Sequence, residues 1–177
     1  EWLDYLRPQV SPESRLKLDE PLQDKTTLKI GGKARLYAEP GSMEDLFQIL
    51  ESSAMFGLPH YVLGRGSNLI VPDGGYPGTV LRLNRSFWRQ VEILGDGRVR
   101  VGGGARLGEV ANRTCASGLS GFEFLEGIPG SVGGALKMNA GAMGRWMFDL
   151  VQEVTIMDDK GKVQTLQPDE FETGYRR

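Results

Sequence analysis

Gly121-Phe122-Glu123-Phe124-Leu125-Glu126-Gly127-Ile128-Pro129-Gly130-Ser131-Val132-Gly133-Gly134-Ala135-Leu136-Lys137-Met138-Asn139-Ala140-Gly141-Ala142 is the stretch that decides how this chain is read. Apolar and aromatic residues lead into a dense run of glycine carrying one proline, one serine and one asparagine. Glycine reaches backbone conformations closed to other residues and lets another molecule approach the peptide plane. Successive exposed N–H groups in such a turn form a concave anion site. The stretch therefore reads as a loop wrapped around a phosphate-bearing ligand.

A second loop points the same way. Tyr61-Val62-Leu63 reads as a strand, Gly64-Arg65-Gly66-Ser67-Asn68 as a glycine turn, and Leu69-Ile70-Val71 as a following strand. Ser67 and Asn68 add side-chain donors beside the backbone ones. No Gly-Lys-Ser/Thr follows either loop, and neither fits Gly-x-Gly-x-x-Gly, which argues against a P-loop and a Rossmann nucleotide site. For either loop alone, a tight turn between strands is an equal reading. Two loops with matching small polar residues favour a ligand.

Composition sets the frame. The chain has 177 residues, room for one large domain or two small ones. Its 21 Lys+Arg balance 23 Asp+Glu, with no basic block or basic–aromatic interleaving, so no nucleic-acid partner is expected. The single cysteine cannot form an internal disulfide and fits a reducing, cytoplasmic compartment. No apolar run approaches the roughly 18 residues of a membrane span. The start lacks a signal-peptide pattern, although it begins with Glu1, so an upstream segment is compatible with it. The 25 glycines are about twice the usual share of roughly 7% and cluster in loops.

Along the chain, residues 1–25 are polar and proline-punctuated and read as an N-terminal arm or short helix. Residues 26–85 read as a first subdomain. It holds a strand at Ala34 to Ala38, a helix capped by Ser42 with Met43, Leu46, Phe47, Leu50 and Ala54 on one face, and a strand at Thr79 to Leu83. Residues 86–177 read as a second, incomplete subdomain. Hairpins are expected around Gly95-Asp96-Gly97 and Asp158-Asp159-Lys160-Gly161. A helix face carries Leu107, Val110, Ala111, Thr114 and Cys115, and Pro168 opens a last short helix. The class is α+β.

Outside the loops little suggests chemistry. Cys115 on that apolar face reads as a buried, inert thiol. His60 is the only histidine, so no metal cluster and no Ser-His-Asp triad is expected. Trp88, Trp146 and Phe148 read as packing residues, and Asp158-Asp159 as turn chemistry. Arg176 taken alone would be a solvated charge near the chain end.

At these same loops the chain resembles the UDP-N-acetylenolpyruvoylglucosamine reductase family, flavoenzymes of bacterial peptidoglycan synthesis. The resemblance runs in order through Thr26-Thr27-Leu28-Lys29-Ile30-Gly31-Gly32, Gly64-Arg65-Gly66-Ser67-Asn68-Leu69 and Gly118-Leu119-Ser120-Gly121. It continues through Gly127-Ile128-Pro129-Gly130-Ser131-Val132-Gly133-Gly134, Met138-Asn139-Ala140-Gly141-Ala142 and Gly174-Tyr175-Arg176. Single loops of this kind occur in other flavoproteins of the vanillyl-alcohol-oxidase type; the combination resembles the reductase.

The resemblance implies a two-subdomain FAD-binding fold of the vanillyl-alcohol-oxidase type, with FAD held non-covalently. It assigns Gly64, Arg65, Gly66, Ser67, Asn68 and Leu69 to the cofactor. It assigns Gly127, Ile128, Pro129, Gly130, Ser131, Val132, Gly133, Gly134 and Ala135 likewise, with the diphosphate between the two loops. Asn139 and Gly141 would lie near the flavin. NADPH is the implied electron donor and a UDP-sugar enolpyruvate the substrate. Arg176 matches the family's enolate-stabilising arginine and Tyr175 its substrate-binding neighbour. The family's proton-donating serine and assisting glutamate belong to a third, substrate-binding domain that this chain, ending at Arg177, is expected to lack. A monomer is expected. Another flavin oxidase of the same fold and a non-catalytic flavin-binding module are the rival readings.

Overall fold

A computed structural model of the chain describes residues 2–171. They divide into two compact units, residues 2–88 with 159–161, and residues 89–158 with 162–171.

The first unit is built on a four-stranded sheet. After a short helix α1 (Trp2–Leu6), strand β1 (Arg15–Pro21) pairs antiparallel with β2 (Lys33–Glu39). Helix α2 (Met43–Met55) then leads to β3 (His60–Val62), and a long connection returns to β4 (Tyr76–Leu81). β4 lies between β2 and β3 and is parallel to both, giving the order β1-β2-β4-β3. The segment read as an arm thus supplies an edge strand. Asp45 holds it in place: its buried carboxylate accepts from the Ser11 N–H at 2.8 Å, the Ser11 hydroxyl at 2.6 Å and the Ser14 hydroxyl at 2.9 Å. Ser42 caps α2 by accepting from the Asp45 N–H at 3.1 Å.

Strand alternation gives the sheet two buried faces. Thr79 faces α2, where its hydroxyl meets Ser53 at 2.8 Å. Val80, its neighbour, faces the opposite way and packs with Leu22, Ala34, Tyr37, Leu63 and Val71. That second face is covered by two irregular segments, the β1–β2 connection and the β3–β4 connection. A parallel pair is usually joined through a helix. Here the crossover from Leu63 to Gly75 has none, and Leu69 to Val71, read as a strand, is irregular.

The second unit holds the hairpin β5 (Val91–Ile93) with β6 (Val99–Val101), helix α3 (Leu107–Ala116) and helix α4 (Val132–Met138). Two further hairpins follow, β7 (Gly141–Ala142) with β8 (Arg145–Trp146), and β9 (Val154–Met157) with β10 (Val163–Leu166). The core gathers Val91, Ala105, Leu107, Val110, Phe124, Leu125, Val132 and Ala135. Cys115 is exposed, contrary to the sequence reading. At about 100° per residue, Thr114 falls in the middle of the stripe set by Leu107, Val110 and Ala111, and Cys115 falls on its flank. Thr114 is fully buried, its hydroxyl donating to the Val110 carbonyl at 2.9 Å.

Candidate functional site

The irregular crossover of the first unit carries Gly64 to Leu69. The Leu63 N–H donates to the Leu81 carbonyl at 2.7 Å, and the chain then leaves the sheet. Gly66 takes a left-handed conformation (φ +66°), and a Cβ there would overlap the Lys25 carbonyl oxygen. The Thr27 N–H also donates to the Gly66 carbonyl at 3.0 Å. Gly66 is therefore required by the chain's own packing. Arg65, Ser67 and Asn68 are exposed. Leu69 packs toward the Leu22–Val80 cluster and, with Ile70, Leu63 and Tyr76, lines a wholly apolar cavity of ≈ 190 Å³.

In the second unit, Phe124 and Leu125 are buried and anchor the start of the quoted stretch. The single Gly121 N–H is shared between both oxygens of the Glu123 carboxylate, at 3.0 and 2.9 Å. Its own backbone N–H, then that of Gly121, hold the carboxyl below the usual carboxylate range, with Arg145 adding to the effect. Arg145 also sits 5.8 Å from the centre of the Phe124 ring.

The second half of this stretch is helical, which differs from the reading as one continuous loop. Ser131 caps α4, its hydroxyl accepting from the Gly134 N–H at 3.4 Å. Four successive N–H groups are engaged within the chain. Val132 donates to the Ala105 carbonyl at 3.0 Å, Gly133 to Gly103 at 2.7 Å, Gly134 to the Ser131 hydroxyl and Ala135 to the Ser131 carbonyl at 2.8 Å. Among the described residues, the N–H groups of Gly127, Gly130 and Ser131 have no hydrogen-bond partner. Pro129 has no N–H to offer. The available donors thus lie upstream of the helix.

The glycines separate on the same line. A Cβ on Gly127 meets no atom within 4 Å, and one on Gly130 makes only an ordinary 3.5 Å contact with Leu107. A Cβ on Gly133 would press on the Gly103 carbonyl oxygen at 3.1 Å. Ile128 is half-buried, its N–H donating to the Leu125 carbonyl at 3.2 Å. Asn139 closes α4 in a left-handed conformation, and its side-chain oxygen accepts from the Phe148 N–H at 3.2 Å. A Cβ on Gly141 would overlap the Trp146 ring.

Sequence reasoning gave no place to Arg106, which pairing brings beside a predicted site residue, Ser131. An isolated antiparallel bridge joins Arg106 to Ser131, immediately before α3 and α4. No motif surrounds it; only the pairing reveals it. Tyr175 and Arg176 lie outside the described residues. Among the described residues no group of three His, Cys, Asp or Glu side chains could hold a metal ion. No helix among them is long and apolar enough to cross a membrane.

A buried sheet unit with an irregular parallel crossover, followed by a unit with unengaged backbone donors beside a capped helix, suits a dinucleotide-binding domain. The chain belongs to the FAD binding domain family, whose pattern matches residues 34–167. It is 42% identical over 161 residues to the UDP-N-acetylenolpyruvoylglucosamine reductase of Pelobacter propionicus, covering 91% of this chain and 54% of that protein. It is 40% identical over its full length to the reductase of Paramagnetospirillum magneticum, covering 56% of that protein. The chain thus spans about half the length of the curated relatives it matches. The crystal structure of the Thermus caldophilus reductase superposes with a TM-score of 0.78 at 36% identity, over 93% of this chain and 56% of that one. 6-Hydroxy-D-nicotine oxidase from Arthrobacter nicotinovorans, at 21% identity and a TM-score of 0.67, covers 90% of this chain and 37% of its own and shares the fold.

Proposed function

We propose that this chain is the FAD-binding portion of an NADPH-dependent UDP-N-acetylenolpyruvoylglucosamine reductase acting in the cytoplasm. The observation that carries the reading is the 42% identity over 161 residues to a protein of that name, which includes both glycine loops. The residues present fit the cofactor. Gly127, Gly130 and Ser131 offer unengaged N–H donors, and nothing in the chain approaches the side-chain position of Gly127. When bound, FAD would supply hydride transfer from a reduced nicotinamide to the enolpyruvyl group of the UDP-sugar.

The chain's own part in this is to bind and orient. Backbone donors at Gly127, Gly130 and Ser131 would bind diphosphate oxygens without side-chain entropy. Ser67 and Asn68, exposed on the first unit's crossover, are assigned to the same ligand, as are Gly64 and Arg65. Gly66 and Gly133 serve it indirectly by letting their segments pack closely. Arg176 is assigned to stabilising the enolate beside the substrate carboxylate, where a fixed cation lowers the barrier, and Tyr175 to holding the substrate. Both roles rest on the resemblance at Gly174-Tyr175-Arg176.

The test is direct. Purified chain should bind FAD stoichiometrically, with a bound-flavin visible spectrum. It should not reduce the UDP-sugar with NADPH by itself, and should do so when joined to the remaining half of a relative. General acid catalysis contributes about 10²–10⁴-fold, and the relatives' additional length is where that donor is assigned. Failure to bind FAD would refute the reading; robust turnover by the isolated chain would refute the division of labour.

A further inference from the structure

We propose that Arg106 is an anion-binding residue of this chain, its guanidinium engaging the cofactor diphosphate beside Gly127, Gly130 and Ser131. The inference rests on the FAD reading and adds to it a side chain that no glycine motif contains.

The Leu107 N–H donates to the Gly130 carbonyl at 3.3 Å, and the Val132 N–H to the Ala105 carbonyl at 3.0 Å. These bonds flank the Arg106–Ser131 pair, which exchanges none of its own. In an antiparallel pair of that kind the two side chains lie on one face and the Cα atoms sit about 4.5 Å apart. Arg106 therefore stands beside the residue that ends the run of available donors. Ser131 is buried and turned to its capping role, whereas Arg106 is exposed.

Charge sharpens the case. Among the described residues Arg106 has no ion pair and no side-chain hydrogen bond. Glu109, three residues on, and Glu126, whose carboxylate lies against Gly108, are otherwise engaged. Glu126 accepts from the Asn112 amide at 3.3 Å, and Glu109 lies 4.0 Å from Arg89. A cation without a carboxylate partner, on the residue paired with Ser131, is suited to a doubly charged diphosphate. Charge-assisted bonds are roughly twice as strong as neutral ones, and arginine matches phosphate geometry in a bidentate fashion. The backbone donors supply shape; Arg106 supplies charge.

FAD and riboflavin titrations of the purified chain, followed by flavin fluorescence, separate the possibilities. Wild-type binding of FAD with a dissociation constant that rises with salt is the starting point, and its absence would refute the FAD reading and this proposal with it. Given that binding, Arg106→Gln should raise the FAD dissociation constant about 10- to 100-fold. It should also flatten the salt dependence and leave riboflavin binding and the thermal midpoint unchanged. Arg106→Lys should recover part of the loss. An unchanged FAD dissociation constant in Arg106→Gln overturns the proposal while leaving the FAD reading intact. So does an equal loss in the Gln and Lys variants with unaltered salt dependence and a lowered midpoint. A loss confined to UDP or NADPH binding would assign Arg106 to another diphosphate and likewise overturn it.

Discussion

Gly66→Ala and Gly127→Ala form a matched pair in which the structure predicts opposite failures. At Gly66 the methyl group meets two obstacles. The left-handed conformation costs an L-residue about 1–2 kcal/mol, and the new Cβ overlaps the Lys25 carbonyl oxygen. Relieving that overlap breaks the Thr27 N–H bond to the Gly66 carbonyl, worth about 0.5–1.5 kcal/mol. The sum is about 1.5–3.5 kcal/mol. For a urea slope of about 1–3 kcal/mol/M, the unfolding midpoint should fall by about 0.5–3.5 M. At Gly127 the backbone is not left-handed and a Cβ meets nothing within 4 Å. Stability should therefore stay within about 0.5 kcal/mol of wild type. FAD affinity should nonetheless fall about tenfold or more, because the methyl intrudes between peptide plane and ligand. Urea unfolding without flavin and fluorescence titration with it measure both quantities. A Gly66→Ala midpoint equal to wild type would refute the packing argument. Unchanged FAD affinity in Gly127→Ala would refute the placement of the ligand.

Three further outcomes are expected. Burial alone would raise the Asp45 carboxyl, but bonds from the Ser11 hydroxyl, the Ser11 N–H, Ser14 and Ser42 outweigh it and hold the group below the usual carboxylate range. A depressed folded-state value stabilises fully above about pH 5 and is lost as pH falls through it, the unfolded value being about 3.9. Asp45→Asn should thus cost about 2–4 kcal/mol at pH 7, and the difference from wild type should shrink by pH 3 in urea unfolding. Cys115, being exposed, should react with a thiol reagent under native conditions without unfolding, and Cys115→Ser should change stability by less than about 0.5 kcal/mol. Gly133→Val should lower the thermal midpoint of flavin-free chain, because its Cβ presses on the Gly103 carbonyl oxygen at 3.1 Å; a wild-type midpoint would count against the close approach of those two segments.

What could be read from the residues follows from which forces act locally. The Gly95-Asp96-Gly97 hairpin and α2 with its Ser42 cap were legible, because turn chemistry, capping and a helical stripe are written into neighbouring residues. Strand β1 was not: Arg15, Lys17, Asp19 and Glu20 interrupt its apolar positions, and it exists through pairing with β2 and the Asp45 anchor. Helix α4 hid behind glycine, although Ser131 with Val132, Ala135 and Leu136 at helical spacing was the available signal. Leu69-Ile70-Val71 has strand composition but lies over a sheet face whose strands are already paired. Cys115 was misplaced by one step around the helix. The pairing of Arg106 with Ser131 was least legible of all, since only a long-range bridge joins them.

The glycine-rich motifs therefore carry two messages that sequence alone merges. Gly66, Gly133 and Gly141 are fixed by the chain itself: each lacks room for a side chain because Lys25, Gly103 or Trp146 occupies that room. Gly127 and Gly130 face no such neighbour, and with Ser131 they keep N–H groups that the fold leaves unengaged. A motif can thus mark a fold strongly while only part of it meets the ligand. The engagement of Val132 to Ala135 explains where that part must begin. With four consecutive donors turned to Ala105, Gly103 and Ser131, the N–H groups left for an anion lie upstream of the helix. The Arg106 bridge joins this segment at Ser131, the residue just before that helix.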